Sequence, residues 1–407
     1  MSNLILNEGY KDSKVFFEKG IGDKIFIKGK PYIDLSHCMG SLILGHNNPL
    51  YKKILKKYAK KNISIFAHPN IHALNFSKTI KKVFPNFSKI IFCNSGTEAV
   101  LKSLRISRAL NKKKYIVSTV GSWHGSVDQL LFYPDNKYKN KPLSDGLKNL
   151  DKKNLIIIPY GEIELSRKIL EKKKNDINCL IIEPIQASLP SENSNKYLKF
   201  LENYCRKNDI ILIFDEIITG IRSYKNSVQK NYKIKPDITT AGKILGGGMP
   251  IGIIGLDKRI KNKLEAQNKN IFFGGTFSGN SLSTFIGNET VKYILKKKKL
   301  LNDLNKKSKY FQETLNQFID KNNLDLKIYR YASILRIVYT KNQIQNRVQR
   351  DFFENKNSSK IKNFRKYLFS KKIHYPTNGI IFFSTLSSYK NIEYVVKYIK
   401  SGFKKFF

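Results

Sequence analysis

Lys243 stands among small residues, in Thr240-Ala241-Gly242-Lys243 followed by Ile244-Leu245-Gly246-Gly247-Gly248-Met249-Pro250, just after Pro236-Asp237-Ile238. A lysine whose amine is kept neutral can form a Schiff base with an aldehyde and then take and return a proton. Alone, a lysine before glycines says little, but three other segments complement it. The run Ile90-Ile91-Phe92-Cys93 breaks at Asn94-Ser95-Gly96-Thr97 and continues as an amphipathic pattern to Leu110. That break offers the free N–H groups of a first helical turn, two hydroxyls and a glycine that permits close approach. Such a combination suits a phosphate, and it also serves an ordinary capped helix. The uninterrupted apolar run Ile210-Ile211-Leu212-Ile213-Phe214 ends in Asp215 and Glu216. Acids at the carboxyl end of a strand buried on both faces lie where open α/β sheets carry their sites, and a carboxylate there can keep a ring nitrogen protonated. Gly274-Gly275-Thr276-Phe277-Ser278-Gly279-Asn280 is a glycine-rich turn with hydroxyls, fit for a further phosphate contact or for a plain turn.

These side chains need strands that end beside one another. Apolar runs at Ile90–Cys93, Tyr115–Thr119, Leu155–Ile158, Cys179–Glu183, Ile210–Asp215 and Ile251–Gly255 alternate with helical patterns, in the βα rhythm of a mostly parallel sheet. They predict a large α/β domain over 47–288. Residues 1–46 with 289–407 are expected to form a smaller α+β domain, with strands at Leu326–Tyr329 and Ile334–Tyr339 and a helix at Lys360–Ser370. A chain of 407 residues is long enough for two such units and a buried cofactor. The stretch from Phe132 to Asn149 carries turn chemistry and reads as a surface loop, with a lid over the site as the functional alternative.

Six motifs stand in order: Asn94-Ser95-Gly96-Thr97-Glu98-Ala99, Trp123-His124-Gly125, Ile182-Glu183-Pro184, Asp215-Glu216 with Thr219, Gly220 and Arg222, Thr239-Thr240 with Gly242-Lys243, and Gly275-Thr276 with Ser278-Gly279-Asn280. The set resembles the class III pyridoxal-phosphate aminotransferases. Within them it is most similar to the glutamate-1-semialdehyde 2,1-aminomutases, from about Ile33 to at least Asn288. The resemblance implies a fold-type I transferase with a mostly parallel seven-stranded sheet and pyridoxal 5'-phosphate as cofactor. It makes Lys243 the Schiff-base lysine and Asp215 the partner of the pyridine nitrogen, with Ile217 on one ring face and Trp123 on the other. His124 and Glu183 accompany them at the cofactor. Ser95, Gly96 and Thr97 are expected at the phosphate, joined by Thr276 from a second subunit, so an obligate homodimer with shared active sites is implied.

The sequence also departs from the aminomutase pattern. Ala187 and Ser188 follow Glu183-Pro184-Ile185-Gln186 where that family has glycine and then asparagine or glutamate. Met39 replaces a tryptophan, and the Pro-Gly-Gly-Val-Asn-Ser-Pro-Val-Arg segment is missing. The expected activity is therefore an aminomutase-like transfer between a small-molecule amino donor and a carbonyl acceptor, with amino-sugar or other specialised metabolism as a setting. The alternative is the aminomutase reaction itself, which makes 5-aminolevulinate.

Composition narrows the classes. Seventy-five Lys plus Arg against 31 Asp plus Glu give a formal net charge of +44, a balance that by itself points to nucleic acid or an anionic surface. Yet the lysines are scattered, as at Lys52-Lys53, Lys112 to Lys114, Lys172 to Lys174 and Lys296 to Lys299, with no nucleic-acid motif beside them. They read as solvated helix faces, in a composition an adenine- and thymine-rich coding sequence would produce, and no specific nucleic-acid partner is expected. A nucleic-acid-binding protein and a catalytically inactive relative are the rival classes; neither accounts for the motif order. No apolar run approaches a membrane span, and Met1 to Glu8 lacks a basic-then-apolar leader, so a cytoplasmic enzyme is expected. Cys38, Cys93, Cys179 and Cys205 lack metal-ligand spacing, and His68 and His72 are separated by Pro69 without a carboxylate between, so no metal is expected. His37 and His46 flank a segment like a substrate-pocket loop, His46 as a structural residue. Arg222 and Arg336 could each fork a substrate carboxylate or form an internal salt bridge.

Overall fold

The computed structural model describes residues 15–61, 63–135, 139–223, 225–297, 299–344 and 346–407. Its centre is one seven-stranded sheet made of β1 (Lys89–Cys93), β2 (Tyr115–Thr119), β3 (Leu155–Ile158), β4 (Ile177–Ile182), β5 (Ile211–Asp215), β6 (Ile238–Gly242) and β7 (Gly252–Leu256). The order is β1-β7-β6-β5-β4-β2-β3. Strands β2 to β6 pair in parallel, while β7 runs antiparallel to both β6 and β1. Every residue of β4 and β5 is buried, as strands covered on both faces must be. Each fully buried isoleucine in them contributes about 1.5–3 kcal/mol before the entropy of ordering is counted.

Ser95 starts the helix Gly96–Leu110 directly after β1, its hydroxyl accepting from Glu98 N at 3.1 Å. The helix buries Ala99, Val100, Ser103, Leu104, Ile106 and Ser107, a face at three- and four-residue spacing that packs on β6 and β7. Its first turn is thereby fixed at the carboxyl edge of the sheet. Elsewhere, strands Lys19–Ile21, Lys24–Ile27 and Lys30–Asp34 form an antiparallel meander extended in parallel by Ile373–His374. Strands Lys327–Tyr331, Ile334–Val338 and Ile380–Phe382 form an antiparallel sheet, and the helix predicted at Lys360–Ser370 spans Ser358–Ser370.

Several expectations are corrected. Strand β6 lacks an apolar run, because its sequence Ile-Thr-Thr-Ala-Gly hides its hydroxyls in hydrogen bonds rather than in the pattern. β4 ends at Ile182, so Glu183 lies just beyond the strand predicted to contain it. The stretch read as a surface loop contains a two-stranded hairpin, Phe132–Pro134 with Asn140–Pro142, anchored by the buried Phe132. Only part of the lysine pattern lies on helix faces. Lys52 and Lys53 are exposed on the helix Pro49–Ala59, but Lys112 to Lys114 connect a helix to β2 and Lys172 to Lys174 follow a helix end. The leader reading at Met1 to Glu8 lies outside the described residues, as does Lys298 in the last lysine run.

Candidate active site

At the carboxyl edge of the sheet a cavity of about 500 Å³ is lined by Ser95, Gly96, Thr97, Trp123, Glu183, Asp215, Ile217 and Lys243, together with Ser41, Asn94, Ile218 and the segment Gly248 to Ile251. Eight of the ten predicted site residues therefore meet in one place. His124 stands behind them on Asp215. Thr276 alone lies apart, exposed on a second cavity with Ala67 to Asn70 and Phe273 to Gly275.

Asp215 ends β5 and is buried. Its Oδ2 lies 2.8 Å from His124 Nδ1, and its Oδ1 accepts from Thr240 Oγ1 at 3.1 Å and Ile217 N at 3.2 Å. Thr240 is there because the parallel register of β5 and β6 sets it opposite Asp215. Neither the apolar pattern nor the glycines mark Thr240; the register between two strands does. Glu216, the next residue, faces away and accepts from Val228 N, Gln229 N and Thr219 Oγ1 at 2.7, 3.0 and 3.0 Å. Two adjacent acids thus have different work, one toward the cavity and one tying a loop.

Lys243 follows β6 with φ at +47°, an uncommon conformation for a residue with a side chain. Its amine is held below ordinary lysine basicity, first by burial and also by the positive charge of Arg222, against the opposing pull of Asp215 and Glu183. Glu183 accepts from Trp123 N at 2.7 Å and weakly from Ala187 N at 3.4 Å. Burial pushes its carboxyl up to about 7, with His124 opposing and Asp215 adding to the rise. Trp123, held by this contact, presents a half-exposed ring to the cavity. Ile217 comes so near the helix start that a Cβ on Gly96 would sit 2.5 Å from its Cδ1. Thr97 Oγ1 accepts from Ser126 N at 3.2 Å. Lys102 reaches from the same helix to the carbonyl of Phe273 at 3.1 Å, fixing the glycine-rich turn.

The other candidates are structural. Arg336 forks Glu354 at 2.7 and 2.9 Å, and Arg222 is fully buried on neutral partners. His46 Nε2 lies 2.8 Å from Asp34, and His37 Nδ1 lies 3.1 Å from the Phe382 carbonyl. No cluster of His, Cys, Asp and Glu suited to a metal occurs among the described residues.

The chain matches the aminotransferase class-III family over residues 5–354 and belongs to it. It is a pyridoxal-phosphate-dependent enzyme. It is 32% identical over 400 residues to a glutamate-1-semialdehyde 2,1-aminomutase of Thermodesulfovibrio yellowstonii, covering 96% of this chain and 92% of that protein. Among solved structures it resembles an omega-transaminase from Sphaerobacter thermophilus, with a TM-score of 0.89 at 19% identity over 99% of this chain and 93% of the other. A glutamate-1-semialdehyde-aminomutase from Pseudomonas aeruginosa PAO1 superposes with a TM-score of 0.87 at 16% identity, covering 97% and 88%.

The cavity fits pyridoxal phosphate on its own chemistry. It joins an amine of reduced basicity, a buried carboxylate and a helix start lacking room for a side chain at Gly96. Among the described residues His124 Nε2 is buried without a hydrogen-bond partner, while its Nδ1 faces Asp215, so the ring has a polar atom free behind the cavity.

Proposed function

We propose that the chain transfers an amino group from a small-molecule amine to a keto or aldehyde substrate, with Lys243 as the covalent and proton-carrying residue. The observation that carries this is the meeting of Lys243, Asp215 and the start of the helix Gly96–Leu110 in one cavity. When bound, pyridoxal phosphate supplies an aldehyde and an electron-withdrawing ring. Lys243 would hold that aldehyde through its neutral amine and, once a substrate amine has taken its place, its Nζ would accept the proton from the amine-bearing substrate carbon and deliver it to the former aldehyde carbon of the cofactor. Asp215, oriented by His124 and Thr240, would hold a proton on the ring nitrogen. The N–H groups of Gly96 and Thr97 with the Ser95 and Thr97 hydroxyls would receive the phosphate. Ile217 and Trp123 would cover the two ring faces, and Glu183 fixes the Trp123 backbone.

A homodimer is part of this reading. Phe66, Ile71, Leu74, Phe272 and Phe277 are exposed around Thr276, an apolar surface whose burial would bring Thr276 to a second copy's phosphate. The two-domain division at 47–288 is proposed on the span of the central sheet, and a cytoplasmic location on the four free thiols. No helix among the described residues is long and apolar enough to cross a membrane.

The substrate is read as a carbonyl compound other than glutamate-1-semialdehyde, such as an amino-sugar precursor. Ser188, at the departure noted above, spends its hydroxyl on the Gly121 carbonyl at 2.9 Å. The second reading is the aminomutase, favoured by the relatives of that name. Adding L-glutamate to the purified holoenzyme and following its visible band tests the first reading: bleaching to the amine form of the cofactor is expected. Rapid conversion of glutamate-1-semialdehyde to 5-aminolevulinate would replace it with the second.

A further inference from the structure

Arg222 is the largest side chain fully removed from solvent. Buried arginines ordinarily face carboxylates, since an unpaired charge in the interior is costly. Arg222 faces none among the described residues. Its Nε donates to the Ile218 carbonyl at 3.2 Å, Nη1 to Ser333 Oγ at 3.0 Å and Nη2 to the Gly40 carbonyl, and its guanidinium lies 4.9 Å from the centre of the Phe382 ring. Burial lowers its own pKa only to about 9, so it stays charged at neutral pH.

Its position relates that charge to the cavity. Ile218 lines the cavity, and Gly40 immediately precedes Ser41, another lining residue. Gly40 has φ at +78°, and a Cβ there would approach Phe382 to 2.7 Å and Arg222 Nη2 to 2.8 Å. Arg222 is thus locked behind the wall and cannot swing out to a substrate carboxylate without dismantling the turn. Asp215 and Glu183 line the same cavity as Lys243 and favour its ammonium form, while the guanidinium of Arg222, anchored 3.2 Å from the carbonyl of the lining residue Ile218, opposes them; His124 is bound to Asp215.

We propose that Arg222 is a positioning residue whose uncompensated buried charge biases Lys243 toward its free, nucleophilic amine, offsetting the two carboxylates that share the cavity. This rests on Lys243 being the reactive lysine. A second cation beside a lysine amine, in a medium less screening than water, acts in that direction.

The test uses the full-length protein freed of cofactor. Cyanate modifies only the neutral amine, so the pH dependence of Lys243 carbamylation, followed by peptide mass spectrometry, reports its proton affinity while surface lysines serve as internal controls. Arg222→Gln is expected to raise the midpoint by about half a unit, roughly threefold in proton affinity. Arg222→Lys, keeping the charge, should stay near the parent. Ser333→Asp leaves Arg222 in place but supplies the missing carboxylate, and should raise the midpoint as Arg222→Gln does. It also carries the test if Arg222→Gln fails to fold. An unchanged midpoint in the folded variants would overturn the proposal. So would a shift in Arg222→Gln matched by Arg222→Lys or absent from Ser333→Asp, because packing alone would then account for it. Failure of borohydride to trap cofactor on Lys243 in the holoenzyme would sink the functional reading instead, and leave the amine titration interpretable.

Discussion

Glu183 lines the cavity and Asp34 starts the turn that leads to it; both are buried carboxylates, yet their surroundings move them in opposite directions. Asp34 closes the strand Lys30–Asp34 and accepts from Ser36 N, His37 N, His46 Nε2 and His374 Nδ1 at 2.8, 2.9, 2.8 and 3.0 Å. Burial alone would raise it, but the hydrogen bonds of His374 and His46 and the nearness of His37 outweigh that and hold it well below the usual carboxylate range. Glu183 has two N–H donors, one of them distant, and Asp215 close by, so burial prevails and its carboxyl rises. One acid is a permanent anion that shapes backbone. The other can change protonation near neutral pH.

The backbone Asp34 shapes is unusual. His37, Cys38 and Met39 take φ values of +44°, +52° and +55°, followed by Gly40 at +78°. Each non-glycine residue held there costs on the order of 1 kcal/mol or more. This left-handed turn leads into Ser41 at the cavity, with Asp34 holding its start and Arg222 its end. The sheet edge, by contrast, offers its groups from the ends of strands. The proposed reaction chemistry belongs to that edge, and the turn is proposed to shape the substrate side.

The largest effect expected from this division is at Lys243. Lys243→Ala should lower turnover by roughly 10³-fold or more and remove the borohydride-trapped adduct, with little change in thermal stability. Asp215→Asn should cost about 10²-fold in turnover through the lost charge at the ring nitrogen. A substantial turnover in Lys243→Ala would break the assignment of the chemistry to the sheet edge.

Removing the other acid should act on folding. Asp34→Ala leaves two buried backbone N–H groups and two histidines without their acceptor, and is expected to destabilise the protein by about 3–5 kcal/mol, measured by urea denaturation. Where the variant remains folded, KM should rise more than kcat falls, because the turn and not the lysine is disturbed. A loss confined to kcat would show that the turn belongs to the chemistry after all.

The two regions were unequally legible in the sequence. Asp215 and the Ser95–Thr97 turn stand at the ends of elements whose buried faces the apolar pattern reveals, so β1 to β5 were predicted to within a residue or two, whereas Lys243 was marked only by the small residues and motif around it. β6 escaped because its threonines face hydrogen-bond partners supplied by other elements, Thr240 by Asp215 of β5 and Thr239 by Gln229 of the helix Val228–Tyr232. The turn at Ser36 to Ser41 escaped more completely. Its conformation is set by His374, Arg222 and Phe382, and a pattern read along neighbouring residues cannot contain contacts from 182 or more positions away. The hydroxyls and histidines there carry no periodic signal, and the positive φ values fall on residues that ordinarily avoid them. The Glu183 shift was equally hidden, since it depends on how completely the chain encloses one carboxyl.

That shift yields the smallest effect and the sharpest distinction between the two acids. Glu183 rises from 4.5 to about 7, so the fold favours its protonated form. The stabilisation is complete below about pH 4.5 and is lost as the pH rises through 7. Glu183→Gln keeps a neutral group and an oxygen that can accept from Trp123 N. Relative to the parent, it should be nearly neutral at pH 5 and gain stability progressively to pH 8, by up to about 3 kcal/mol. Urea midpoints of the two proteins at half-unit pH steps measure this. Parallel curves would mean that Glu183 is ionised throughout, like Asp34, and the contrast between the two carboxylates would vanish. Diverging curves would place a titrating carboxyl against the backbone of Trp123, so that a proton gained or lost near pH 7 acts directly on the residue proposed to cover the cofactor ring.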